Sequence, residues 1–285
     1  MGPLKIDTHQ HFWNLSKVEY AWLVPTYGPI YATFAPKDLA PQLKAAGIDR
    51  TVLVQSANNN EDTVSMLTQA EENDWIGAVV GWVPLYDQAE ANKLLDRYGQ
   101  HPKFRGVRHL NHEEADPDWL VRADVLAGLK LVEARGLSFD VVAIFPKHLN
   151  HVPTLARHAP NLKIVIDHLA KPPIKDKQDT ATNAWAEAMQ AAAQFPNVYA
   201  KISGLNTAAD WETWSAADLK PYIDKTIDLF GPERCMFGSD WPVAILAGDY
   251  AKVWRETNVA LRGRSQKEID AILGGTAQKV YRIKN

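Results

Sequence analysis

Three stretches, far apart in the chain, each place an imidazole or carboxylate at the end of an apolar run. The first carries His9 and His11, the second ends in Asp167-His168, and the third ends in Asp240. Side chains alternate faces along a strand, so His9 and His11 point the same way. Two imidazoles on one face can hold a metal or grip an oxyanion together. With His168 and Asp240 they form a set of nitrogen and oxygen ligands suited to one divalent ion such as zinc. Asp240 also suits a general base that takes a proton from water, the imidazoles then polarising the carbonyl under attack with or without a metal. Asp240 cannot readily be both a tight ligand and a free base, so both readings stand. Taken singly, each residue has a plainer role: a strand-end histidine satisfied by its neighbours, or an aspartate capping the turn before Trp241-Pro242. Use of the same end of each strand favours one shared site.

Other polar or aromatic groups fall at equivalent strand ends. Arg108 is a fixed cation with a fork of donors, for a substrate oxygen or for a structural salt bridge. His109, Trp82, Gln55 and His148 complete the candidate substrate contacts. His112 and Glu113 follow on the next loop, and Lys201 and Ser203 share one face of a later strand. His101 and His158 sit next to or near prolines at helix ends and read as surface residues.

These residues need elements to position them, and the chain supplies eight strand-then-helix units. Strands are expected at 5–13, 50–55, 76–83, 104–109, 137–145, 162–168, 198–203 and 234–238. Helices follow at 36–46, 61–73, 88–98, 117–133, 149–157, 184–194 and 219–230, with two more at 250–261 and 266–281. Pro36 opens the first helix and Gly47 ends it; Asp116-Pro117 reads as the start of the fourth. No Asn-Gly hairpin signal, linker or composition shift interrupts the alternation. The simplest closed arrangement is one α/β domain over residues 1–285, a (β/α)8 TIM barrel, distorted by a long excursion at 14–35 after the first strand. A loop of that length in a compact domain is usually functional, and it is expected to fold over the site as a lid.

Composition narrows the classes. With 31 Lys+Arg against 34 Asp+Glu, the net charge of −3 leaves no basic excess for a nucleic acid partner. No apolar run approaches the ~20 residues that span a bilayer. The start at Met1 lacks the pattern of a signal peptide, and the single Cys235 reads as a small apolar strand residue in a reducing cytoplasm. Nothing in the pattern indicates an oligomeric state. Ten tryptophans suit core packing or a pocket that stacks rings.

The motifs also carry a resemblance. Asp7-x-His9-x-His11-Phe12-Trp13, Asp167-His168 followed by Ala170-Lys171-Pro172, Lys201-x-Ser203-Gly204-Leu205, Gly238-Ser239-Asp240-Trp241-Pro242 and the ending Gly274-Gly275-Thr276-Ala277 are together similar to the amidohydrolase superfamily. Within it they resemble the lactonase branch, which includes L-fuconolactonase, L-rhamnonolactonase and pyrone dicarboxylate lactonase. The resemblance implies a barrel with its site at the C-terminal mouth. It implies Asp240 as general base, His9, His11 and His168 as the polarising or metal-binding set, and Arg108 as a substrate contact. It departs from binuclear members in having Phe145 and Lys147 near one bridging position and Lys201 or Ser203 at another, which argues for one metal or none. The expected reaction is hydrolysis of a small sugar lactone, similar to L-fuconolactone, to its aldonic acid. The rivals are a metal-dependent decarboxylase of the same superfamily, a pyrone dicarboxylate-type lactonase, and a non-catalytic barrel that binds a sugar or acid.

Overall fold

The computed structural model describes residues 2–284; Met1, where the segment read for targeting signals begins, and Asn285 lie outside the described residues. Eight parallel strands form one sheet in sequence order: β1 (Ile6–Gln10), β2 (Arg50–Val54), β3 (Ile76–Gly81), β4 (Phe104–His109), β5 (Ser138–Val141), β6 (Lys163–Ile166), β7 (Val198–Ile202) and β8 (Cys235–Phe237). Helices α1 (Pro36–Ala46), α2 (Asn60–Glu72), α3 (Gln88–Tyr98), α4 (Ala123–Ala134), α5 (Val152–His158), α6 (Ala184–Ala193) and α7 (Ala216–Phe230) return the chain from one strand to the next, and α8 (Tyr250–Ala260) follows the last strand. After α8 come α9 (Gln266–Asp270), a π turn at Ala271–Gly275 and α10 (Thr276–Tyr281). The strands read as near-continuous apolar runs because a parallel sheet walled by helices is buried on both faces.

The barrel closes at a seam made largely beyond the strands. The Asp240 amide donates to the His9 carbonyl at 2.7 Å and the His11 amide to the Trp241 carbonyl at 2.8 Å. Gln10 and Trp241 form a parallel bridge. Thr8 Oγ1 donates to the Phe237 carbonyl at 2.6 Å. The buried carboxylate of Asp7 pins the same seam, accepting from the Ser239 amide at 2.8 Å and from the Tyr250 hydroxyl at 3.0 Å.

Residues 14–33 form a closed excursion whose ends are tied by paired amides and carbonyls of Trp13 and Phe34. Trp13, Val18, Tyr20, Leu23 and Ile30 give it a small core of its own. Several elements differ from the sequence pattern, among them the first strand, which ends at Gln10 rather than Trp13. The helix expected from Asp116-Pro117 begins instead at Ala123, because Asp116 accepts from Asp118 and Trp119 in a turn that sends Trp119 back to stack on His109 at 4.0 Å. The fifth strand stops at Val141, and the sixth at Ile166, two residues short of His168. Beyond Ile166, residues His168, Leu169, Ala170 and Lys171 all take left-handed backbone angles, with φ between 49° and 62°.

Candidate active site

The strand ends converge on the carboxylate of Asp240. Its Oδ1 lies 3.8 Å from His9 Nε2, 3.5 Å from His11 Nε2 and 3.8 Å from His168 Nε2. Each histidine has its far nitrogen occupied. His11 Nδ1 lies 2.7 Å from the Val54 carbonyl, which can only accept, so that nitrogen carries the proton. His168 Nδ1 meets Ser203 Oγ at 2.9 Å. His9 Nδ1 faces Asp167 Oδ1 at 3.3 Å and Lys201 Nζ at 3.2 Å. This arrangement fixes the three rings and turns their Nε2 atoms toward one point.

Asp240 and His168 both have left-handed backbones, with φ of 60° and 54°. The cost is roughly 1–3 kcal/mol for each such residue, tolerated where surrounding structure over-determines it. Gly204 makes the approach possible. At its φ of 58°, a Cβ there would lie 2.7 Å from both Asp240 Oδ2 and His168 Nδ1.

Burial would raise the pKa of Asp240, but His168, a hydrogen bond from His11, Lys171 and His9 outweigh it and hold the carboxyl well below the usual range. Burial also lowers His168, to about 3, against the opposing pull of Asp240. His9 is lowered by burial as well, despite Asp167. Neutral His9 and His168 beside an ionised carboxylate are in the protonation state a divalent metal requires. The donor spacing fits too. Ligands bound at about 2.0–2.1 Å with tetrahedral angles sit roughly 3.4 Å apart, close to the 3.5–3.8 Å measured here. His9 Nε2 is buried with no hydrogen-bond partner. His9, His11 and Asp240 group within metal-binding reach of one another.

Behind this cluster lies a buried charge network that sequence reasoning did not assemble. Asp167 Oδ2 takes Arg108 Nε at 2.8 Å, and its Oδ1 lies 3.3 Å from Lys201 Nζ. Lys201 also meets Asp140 at 2.5 Å, and Asp140 accepts from the Tyr281 hydroxyl at 2.7 Å. Two cations and two carboxylates are thereby matched away from water, where an unmatched charge would cost several kcal/mol. Asp167 was legible only as part of a motif, and Asp140 not at all, since both depend on strand packing.

In front of the cluster is a cavity of about 210 Å³. Its floor holds His11, His168, Asp240 and Arg108; its walls include Trp22, Tyr27 and Ile30 of the excursion, with Leu110, Val142 and Ile144. That volume is below the ~300 Å³ at which drug-sized pockets begin, so it suits a compact ligand. The expectation that residues 14–35 cover the site matches this placement. His112 and Lys171 also line the cavity, and Lys171 has no role in the sequence reading. Burial lowers the Lys171 ammonium from its ordinary value, while Asp240 opposes the shift.

Four candidate contacts lie off the cavity lining. Trp82 Nε1 donates to His109 Nδ1 at 3.0 Å, which leaves the His109 proton on Nε2, facing Glu114 Oε1 at 2.7 Å. Alternation along β4 puts His109 on the face opposite Arg108, against Trp119, so both aromatic groups brace the barrel wall. The Gln55 side chain donates to Asn58, and the Gln55 backbone carbonyl accepts from Arg108 Nη1 at 2.8 Å, which helps position the guanidinium. His148 is buried in the turn after β5, with Nδ1 unpartnered among the described residues. Of the expected substrate contacts only Arg108 lines the cavity, and His101 proves partly buried rather than free on the surface, facing Glu71 at 3.4 Å.

Comparison with known proteins agrees with this geometry. The family model described as amidohydrolase matches residues 6–283. An L-fucono-1,5-lactonase of Burkholderia ambifaria is 39% identical over 284 residues, covering 98% of this chain and 96% of that one. A protein of the same name from Burkholderia multivorans is 35% identical over 297 residues, covering 99% and 97%. The crystal structure of an amidohydrolase from Burkholderia multivorans with bound zinc has a TM-score of 0.89 and 32% identity, covering 99% of this chain and 100% of that one. Matched along nearly its whole length in sequence and in structure, the chain belongs to the amidohydrolase family.

Proposed function

We infer that this protein hydrolyses a small sugar lactone, of the L-fucono-1,5-lactone type, to the aldonic acid. The observation that carries the reading is the ionised carboxylate of Asp240, with His9, His11 and His168 around it, at the floor of a compact, aromatic-walled cavity. The L-fucono-1,5-lactonases that match at 35–39% identity give the substrate class.

In this reading the lactone carbonyl lies over the imidazole cluster, and a water stands between Asp240 and the carbonyl carbon. Asp240 takes one proton from the water as its oxygen bonds to carbon. Oδ1 faces the histidines, and Oδ2 lies on the Gly204 side. The carbonyl oxygen becomes an oxyanion, and the bond to the ring oxygen then breaks. His9, His11, His168 and Asp240 are the residues that would hold one divalent metal, which when bound supplies Lewis-acid polarisation of the carbonyl. Arg108 keeps its charge matched by Asp167, so its outward donors suit a hydroxyl better than a substrate carboxylate. That favours a neutral sugar lactone over a dicarboxylate.

The test is proton release from a panel of aldonolactones, using enzyme as purified and after exhaustive chelation. Rapid hydrolysis of a sugar 1,5-lactone is the expected result. Activity lost on chelation and regained with zinc assigns the cluster as ligands, and activity that survives assigns carbonyl polarisation to the imidazoles. Turnover of no lactone, with carbon dioxide released from aromatic acids, overturns the reading.

A further inference from the structure

Hydrolysis as described leaves one proton unplaced: the ring oxygen departs as an alkoxide and must be protonated. The three imidazoles around Asp240 are not free to do it. Their Nε2 atoms converge on Asp240, and their far nitrogens are held by Val54, Ser203 and the Asp167–Lys201 pair. Arg108 cannot release a proton at any working pH. His112 is kept neutral, lowered to about 4 by burial and by Arg108, His148 and Lys171. Tyr27 lies 40% exposed on the excursion.

Lys171 is placed differently. It follows His168 by three residues on the left-handed turn, in which four successive non-glycine residues have positive φ. Three hydrogen bonds lock that turn: the Lys171 amide to the His168 carbonyl at 2.9 Å, the Phe145 amide to the Ala170 carbonyl at 2.9 Å, and Trp185 Nε1 to the Leu169 carbonyl at 2.7 Å. One helical turn apart, His168 and Lys171 project to the same side, and both line the cavity. Thr207 Oγ1 gives its own proton to the Gly204 carbonyl at 3.0 Å and accepts from Lys171 Nζ at 3.2 Å. That contact fixes the ammonium and leaves two of its N–H groups uncommitted. Arg108 and Lys201 each face a carboxylate; among the described residues no ion pair engages Lys171.

We propose that Lys171 is a further catalytic residue, whose ammonium hands a proton to the lactone ring oxygen as the carbon–oxygen bond breaks. The bond's electron pair stays on the ring oxygen, which becomes the aldonate hydroxyl. Lys171 is left neutral and regains a proton from protonated Asp240 or from solvent, so lactone and water give aldonate and one proton. This rests on the lactonase reading.

The experiment compares L-fucono-1,5-lactone with the matching thiolactone, in which sulfur replaces the ring oxygen. A thiol with an ordinary pKa of about 8.5 departs as thiolate without help. Lys171→Met loses roughly 10²–10³-fold in kcat on the oxygen lactone, with KM within about threefold, and under about tenfold on the thiolactone. Lys171→Arg, which keeps the charge but not a transferable proton, stays as slow as Lys171→Met. Lys171→Gly, which also relaxes the backbone, recovers at least about tenfold in kcat with added ethylammonium. Equal losses on both lactones, an active Arg variant, or a Gly variant that ethylammonium does not rescue each overturn the proposal. Wild-type enzyme that opens no sugar lactone overturns the lactonase reading instead.

Discussion

Asp240 and Asp167 are buried carboxylates with different tasks, set by what faces them. Asp167 is matched by Arg108 and Lys201 and turned toward the backs of the site residues. Asp240 faces three imidazole edges and the cavity. Replacing Asp240 by Asn keeps the shape and removes the proposed base. The Asp240→Asn variant is expected to lose at least about 10³-fold in kcat while its circular dichroism stays that of the native fold; a variant that turns over normally removes Asp240 from the chemistry. The residues that meet at Asp240 were legible because strand alternation and strand ends are sequence patterns. Lys171 was not, since a left-handed turn built without glycine has no signature in residue types.

At the scale of elements, the excursion after β1 stays over the cavity through a latch on the turn after β2. Trp22 Nε1 donates to the Ser56 carbonyl at 2.7 Å, and Asn59 Nδ2 to the Glu19 carbonyl at 2.9 Å. Asp62 Oδ2 accepts from the Ser56 and Ala57 amides at 2.8 and 3.1 Å. Burial raises the Asp62 carboxyl from 3.8 to about 6 against those hydrogen bonds. A carboxyl raised on folding binds its proton more tightly in the native state, so its contribution is full below about pH 4 and lost as pH rises through about 6. The loss is roughly 3 kcal/mol at most. Asp62→Asn is therefore expected to flatten the decline in stability across that window, read as denaturant midpoint against pH; an unchanged slope removes Asp62 as its source. Among the elements, β4 and α3 begin and end where apolar spacing puts them. The start of α4 does not, because Trp119 turns back to cover His109, a contact that no local pattern encodes.

At the scale of the molecule, the barrel is drawn together at the place where the chemistry is. Metal that binds the folded cluster and not the unfolded chain must raise stability, by about 2.7 kcal/mol when its concentration is a hundred times the dissociation constant. Zinc added to chelated protein is expected to raise Tm, and the rise should shrink sharply in Asp240→Asn; an equal rise in both would place the ion elsewhere. The seam has a consequence for how the protein is made. His9 and His11 leave the ribosome early, while Asp240, whose amide hydrogen bonds to the His9 carbonyl, emerges near the end of synthesis. Until then the first strand has no partner on one side, and its histidines have no carboxylate to complete the cluster. A chain that ended before β8 would lack the carboxylate around which His9, His11 and His168 gather.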